Sequence, residues 1–185
     1  MNFIDLVKQQ ERIRDKLDKR ISNVLNHGKF IMGPEVYDLE ERLAEYVNVN
    51  YCISCSSGTD ALLIPLLAHN ISVGDAVLTT PFSYIATAEV IKMVGATPIF
   101  IDINPLSFNI NPENIPLAVE EAKSKSLNPK AIMPVDLFGY PAEYEKIEKY
   151  ANEYDLLVIE DAAQGFGGEI NGKKAGSFGD VSATS

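Results

Sequence analysis

The chain has no tryptophan, two histidines and two cysteines among its 185 residues. Zinc sites draw on Cys and His in sets of three or four, with characteristic pair spacings. Here the one C-x-x-C, Cys52 and Cys55, has no second pair, and His27 and His69 fall near the ends of expected helices. Both thiols lie in the short apolar stretch Tyr51–Cys55, which reads as a strand. Their odd spacing sends them to opposite faces, so buried thiols are expected rather than a metal or redox pair. Basic residues are also scarce, 16 Lys and Arg against 26 Asp and Glu for a net charge of −10. Without a basic stripe, neither nucleic acid nor an anionic membrane is an expected partner. No apolar run approaches the roughly 18 residues of a membrane helix, and no signal-peptide pattern opens the chain. A cytoplasmic location is expected. The glycines of Gln164-Gly165-Phe166-Gly167-Gly168 lack G-x-G-x-x-G spacing and a following helix, which argues against a dinucleotide site.

What the chain does have is 46% hydrophobic residues, enough to bury a sizeable core, arranged with alternating periodicity. Ile13, Leu17, Ile21 and Leu25 recur every four residues, predicting an amphipathic helix that ends near Gly28. Its stripe would pack on the domain or on a partner subunit. Pro34, with Val36, Leu39 and Leu43, opens a second helix. Apolar strands are expected near 51–55, 76–80, 97–102, 130–135 and 156–160, alternating with helices near 58–69, 84–94, 112–124 and 141–154. Strands joined by helices require crossover connections, so the expected class is α/β, a mostly parallel sheet covered on both faces. The organisation reads as N-terminal helices over 1–50 and an α/β core over 51–185. Glu169–Gly176 reads as a surface hairpin turning at Asn171-Gly172.

Three strand ends carry chemistry. Asp161-Ala162-Ala163-Gln164 follows the apolar run Leu156–Ile159. A carboxylate there can hold a cationic heterocycle, as the pyridine nitrogen of pyridoxal phosphate (PLP) requires, and Gln164 can donate to a phenolic oxygen from the same side. Capping of a following helix is the plainer role for such an acid. Ser56-Ser57-Gly58-Thr59-Asp60 passes from strand to helix, and the unpaired amides of a helix N-terminus favour a phosphate. Gly58 permits close approach and Thr59 adds a hydroxyl; simple capping by Ser57 is the alternative. Thr80-Pro81-Phe82-Ser83-Tyr84 leads into another helix, with Tyr84 placed to stack on a flat ring or else to pack in the core. In open parallel sheets ligands sit beyond the strand carboxyl ends, where Gly58, Tyr84, Asp161 and the last residue, Ser185, all fall. Asp136–Pro141 also follows a strand and reads as a structural turn.

The ordered set Ser57–Leu62, Pro81–Thr87, Asp161–Gln164 and Gly179–Ser185 resembles the DegT/DnrJ/EryC1/StrS family of PLP-dependent sugar aminotransferases across essentially the whole chain. Phe3–Leu6 with Gln10, and Gly28–Val36, are similar to members that aminate UDP-linked N-acetylated keto-sugars for bacterial surface polysaccharides such as lipopolysaccharide. The resemblance implies a three-layer large domain of the fold-type I aminotransferase kind, with a small C-terminal domain outside this sequence. It implies that Asp161 pairs with the pyridine nitrogen, Gln164 contacts the phenolic oxygen, Tyr84 stacks on the ring, and Gly58, Thr59 and Ser185 hold the phosphate. It also implies a nucleotide-linked keto-hexose substrate, glutamate as amino donor, and a homodimer sharing its active sites. The family's Schiff-base lysine lies five positions past the serine matching Ser185, so the sequence reads as the N-terminal portion of the enzyme, inactive by itself. Two alternatives remain open: a PLP-dependent sugar dehydratase, with histidine at the lysine position, and a non-catalytic binding protein.

Overall fold

The computed structural model describes residues 4–185, and they divide into two compact units. The first runs through Glu45 and includes Tyr51–Ser54; the second comprises Tyr46–Asn50 and Cys55–Ser185.

In the first unit, α1 spans Leu6–Glu11, α2 Arg14–His27 and α3 Pro34–Val47, the last turn of α3 belonging with the second unit. Helix α2 ends as the sequence predicts: Gly28 takes the left-handed conformation (φ +66°) and its N–H caps Val24 O. The stripe Ile13, Leu17, Ile21 and Leu25 stays 37–66% exposed in the single chain. Residues 51–55 are a correction. Tyr51 and Ile53 are 83% and 84% exposed, and no strand forms. A strand exists only with a neighbour to take its backbone groups; here the Ser54 N–H and Oγ both donate to Glu40 Oε1 at 2.7 Å instead. The thiols are consequently not buried as a strand would bury them. Cys55 is exposed, with Sγ donating to Ser57 O, and Cys52 is half-buried.

The second unit is a five-stranded sheet in the order β2-β1-β3-β4-β7. Its strands are β1 Asp75–Thr79, β2 Thr97–Phe100, β3 Asn128–Met133, β4 Leu157–Asp161 and β7 Val181–Ala183. Every pairing is parallel, which the intervening helices make possible. Strand alternation divides the core in two. Ala76, Leu78, Ile132 and Val158 face α6 (Ile115–Ser124) and α7 (Tyr144–Tyr154), which contribute Ile115, Val119 and Ile147. Val77, Ala131, Met133 and Ile159 face α4 (Gly58–Ala68) and α5 (Ala86–Met93), which contribute Leu62, Leu66, Val90 and Ile91. The result is the three-layer α/β arrangement expected. Helix boundaries shift by two or three residues. The helix expected at 84 begins at Ala86, the one at 141 begins at Tyr144, and 112–124 opens with a 3₁₀ turn, Pro112–Asn114. The small hairpin β5 Glu169–Ile170 and β6 Lys173–Lys174 turns at Asn171 (φ +53°) and Gly172 (φ +81°), the two left-handed residues such a tight turn needs.

Full burial of a leucine side chain contributes about 1.5–3 kcal/mol from water exclusion alone, and truncation adds a cavity penalty. Leu66, fully buried on α4, and Leu67, beside it and 56% exposed, therefore make a matched test of which face of α4 meets the sheet. Leu66→Ala is expected to cost about 2–5 kcal/mol in urea unfolding and Leu67→Ala about 0.5 kcal/mol. Similar losses at both positions would contradict this packing.

Candidate functional site

The carboxyl ends of β4 and β7 and the start of α4 meet at one place. In the β4–β7 ladder Asp161 lies opposite Ala183, the Ala162 N–H donates to Ala183 O, and Thr184 Oγ1 donates to Ala162 O. Ser185 follows directly and closes on α4. A Cβ added at Gly58 would lie 2.9 Å from Ser185 Cβ and 3.0 Å from its Oγ, closer than side chains normally approach. Glycine is thus required for that approach. Ser57 caps α4, its Oγ accepting from the Asp60 N–H and its carbonyl from the Ala61 N–H. Capping and anion binding are not exclusive here. The cap takes one first-turn amide, and those of Gly58 and Thr59 belong to the set that an α-helix leaves without internal acceptors.

Asp161 is 4% exposed although it ends a strand. Its Oδ2 accepts from Thr87 Oγ1 at 2.7 Å and its Oδ1 from the Ala163 N–H at 3.3 Å. Thr87 Oγ1 in turn lies 2.9 Å from Ser83 Oγ. Burial pushes the Asp161 carboxyl above its usual range, and the Thr87 and Ala163 donors oppose that. A buried carboxylate with only two neutral donors is suited to a cationic partner, because a positive N–H would offset the remaining desolvation. The residues present therefore fit a PLP pyridinium at Asp161 and a phosphate at Gly58, Thr59 and Ser185.

The other two candidates are placed less directly. Tyr84 is 72% exposed two residues before α5, and its carbonyl accepts the Thr87 N–H, so its link to Asp161 runs through Thr87. It is not a core aromatic, and its ring is available to a ligand; nearby Phe82 instead tilts against Phe108 at 6.1 Å. Gln164 is exposed, and its Oε1 accepts the N–H of Phe138, itself at φ +56°. That leaves its amide N–H₂ as the end able to donate.

Three residues of this neighbourhood escaped the sequence reading. Thr87 was legible only as part of a motif; its role depends on α5 crossing the end of β4. Asp136 and Glu160 are fully buried. Glu160 accepts from the Gly176 N–H at 2.7 Å and the Phe178 N–H at 2.8 Å, while Asp136 Oδ1 accepts from the Ala142 N–H and from Tyr144 Oη. Burial first, then the Asp136 carboxyl, raises Glu160 to about 8; burial also raises Asp136. The charged residue between the apolar run and Asp161 was the available signal for Glu160. The turn over Asp136–Pro141 is present as a 3₁₀ turn, Leu137–Gly139, but Asp136 is more than a turn residue.

The DegT/DnrJ/EryC1/StrS aminotransferase family model matches residues 11–185. The chain belongs to this family. It is 45% identical over its full length to the Pseudomonas aeruginosa UDP-2-acetamido-2-deoxy-3-oxo-D-glucuronate aminotransferase, covering 50% of that protein. Among solved structures it is similar to a DegT DnrJ EryC1 StrS aminotransferase from Brucella abortus, at TM-score 0.97 and 46% identity, covering all of this chain and 50% of that one. It is also similar to NtdA from Bacillus subtilis with bound cofactor PMP, at TM-score 0.79 and 38% identity, covering 90% of this chain and 37% of that one. The chain thus spans about half the length of the relatives it matches. Family aminotransferases are PLP-dependent, and the chain's fold corresponds to the large domain of such enzymes.

Thr87→Val tests the electrostatics of Asp161 without any cofactor. Losing the hydroxyl leaves a buried carboxylate oxygen without a donor, at a cost of about 1–3 kcal/mol. The folded-state pKa of Asp161 is already raised, so stability associated with its neutral form is present at low pH and lost as pH rises. The variant raises that pKa further. Its deficit relative to wild type in urea unfolding is therefore expected to be larger near pH 7 than near pH 4. An equal deficit at both would mean that Thr87 acts by packing alone.

Proposed function

We propose that the protein carrying this chain is a PLP-dependent aminotransferase that moves an amino group from glutamate to the keto carbon of a nucleotide-linked hexose. The substrate class is a UDP-linked N-acetylated keto-sugar, and the product would feed surface polysaccharide synthesis. Support comes from the full-length likeness to the Pseudomonas enzyme. The observation that carries the reading is the pairing of a buried acceptor, Asp161, with an anion cradle two residues beyond its ladder partner Ala183.

Bound PLP supplies an electron sink for proton exchange at the carbon that gains or loses nitrogen. Asp161 would keep the ring nitrogen protonated, and Thr87 would hold the carboxylate in place. Gly58, Thr59 and Ser185 would anchor the phosphate. Tyr84 would cover one face of the ring, and the Gln164 amide N–H₂ would donate to the phenolic oxygen. Lys173 and Lys174 are not proposed as the covalent residue. Lys173 Nζ lies 3.7 Å from Glu148 Oε1 and over the Phe178 ring, and Lys174 Nζ donates to Tyr46 O at 2.9 Å. A homodimer is part of the same reading, with the exposed apolar stripe of α2 as a surface that a second copy can cover.

The decisive substitution is Asp161→Asn in the full-length protein. The amide cannot act as counter-ion, and loss of a hydrogen bond between charged groups weakens PLP binding by about 10- to 100-fold. Titration of apoprotein with PLP, followed by absorbance, measures this directly. PLP affinity equal to wild type would remove Asp161 from the site.

A further inference from the structure

Glu160 and Asp161 are consecutive on β4, so their side chains leave opposite faces of the sheet. Asp161 turns towards α5 and Thr87, whereas Glu160 turns towards the layer that holds Tyr144 and Phe178, whose rings stack at 4.4 Å. On that side Glu160 meets Asp136, which lies just past the end of β3. The backbone ties Asp136 to Asp161 itself: the Asp136 N–H donates to Asp161 O at 3.0 Å, and the Asp161 N–H donates to Pro134 O at 2.9 Å. Whatever holds Asp136 therefore also holds the peptide from which Asp161 projects.

Among the described residues, two buried side-chain oxygens have no hydrogen-bond partner of fixed geometry, Asp136 Oδ2 and Ser182 Oγ. Both adjoin the same carboxyl group. Ser182 lies opposite Glu160 in the β4–β7 register, and the buried Asp136 carboxyl, whose Oδ2 is unpartnered, is near enough to push the Glu160 carboxyl up. Two ionised carboxylates cannot satisfy each other, since neither carries a donor. One added proton fills the vacancy at Asp136 Oδ2, and the Ser182 O–H can donate to Glu160 in either state. A neutral Glu160 donates to Asp136 Oδ2 and accepts from Ser182 O–H while keeping its Gly176 and Phe178 N–H bonds, and Asp136 stays ionised with Oδ1 accepting from Ala142 N–H and Tyr144 Oη. No cation competes: the charged or titratable groups facing the pair are Tyr144 on α7 and Asp161 on β4, and Lys173 is directed to Glu148 and the Phe178 ring. Gly165 packs its Cα against the same place, a Cβ there falling 2.9 Å from Asp136 Oδ2.

We propose that Glu160 and Asp136 share one proton across the carboxyl ends of β4 and β3, and that this carboxylic acid–carboxylate bond is a positioning device for Asp161. Its consequence for the cofactor rests on the function proposed above; the proton sharing does not. The desolvated pair has good reason to retain the proton, because two adjacent buried negative charges would otherwise stand without a counter-ion. Raised to about 8 in the folded state, the Glu160 carboxyl makes a contribution to stability that is complete below its unfolded value and lost as pH climbs through the folded one.

The test uses the full-length protein, labelled with ¹³C at glutamate carboxyls, and infrared difference spectra over about pH 5 to about 9. The expected result is one protonated-carboxyl carbonyl band at neutral pH, lost on the alkaline side and absent from Glu160→Gln. Absence of any such band in the wild type at neutral pH overturns the proposal, and this arm needs no variant to fold. In denaturant unfolding, the wild-type unfolding constant relative to Glu160→Gln should rise up to about tenfold per pH unit across the same window; parallel profiles overturn it. For positioning, Glu160→Gln, which keeps a donor, should retain PLP affinity, whereas Glu160→Leu should lower it by about tenfold. Unchanged affinity in Glu160→Leu overturns the positioning role. The infrared and unfolding arms contain no cofactor, so they can succeed even where Asp161→Asn shows the aminotransferase reading to be wrong.

Discussion

Burying two acidic side chains at the end of β4 is the constraint around which the second unit is arranged. Glu160 and Asp161 both enter the dry interior, and an isolated carboxylate there would cost several kcal/mol. Each is met by donors from its own side of the sheet, the Gly176 and Phe178 amides for Glu160, the Thr87 hydroxyl and Ala163 amide for Asp161. The donors come from segments far apart in sequence. Satisfying the two acids therefore requires α5, the turn before β7 and the turn after β4 to be in place together, and correct assembly of the site becomes part of correct assembly of the fold.

The same geometry accounts for where the candidate ligand groups fall. Parallel pairing puts the carboxyl ends of β3, β4 and β7 on one edge, and the β4–β7 register sets Ser185 two positions past the residue opposite Asp161. The start of α4 then approaches so closely that only glycine fits at position 58. The sheet thus carries the acid and one wall of the proposed anion cradle, while the helix N-terminus would supply the amides.

Much of this was legible from sequence because the signals were local. Asp161 after an apolar run, Gly58 after a capping serine, and Asn171-Gly172 between short strands each announce their backbone setting within a few residues. The unread parts depend on contacts between distant segments. Residues 51–55 have strand composition, yet a strand needs a neighbour, and Ser54 is bound by Glu40 instead. Glu160 is one charge next to an apolar stretch and went unread, and Asp136 read as a turn residue; that they lie on one side of the sheet follows from the β3–β4 alignment, which no local pattern encodes. Thr87 lay inside a quoted motif, but its bond to Asp161 spans 74 positions. The start of α5 at Ala86 leaves Tyr84 exposed in the preceding turn.

The central claim is that Asp161 and the Gly58–Ser185 cradle hold the two ends of one PLP molecule. A crystal structure of the full-length protein soaked with PLP tests it most directly. The ring nitrogen is expected within hydrogen-bonding distance of an Asp161 carboxylate oxygen, with the phosphate on the Gly58 and Thr59 amides and Ser185 Oγ. Phosphate density elsewhere, or a ring nitrogen facing any group other than Asp161, would contradict it.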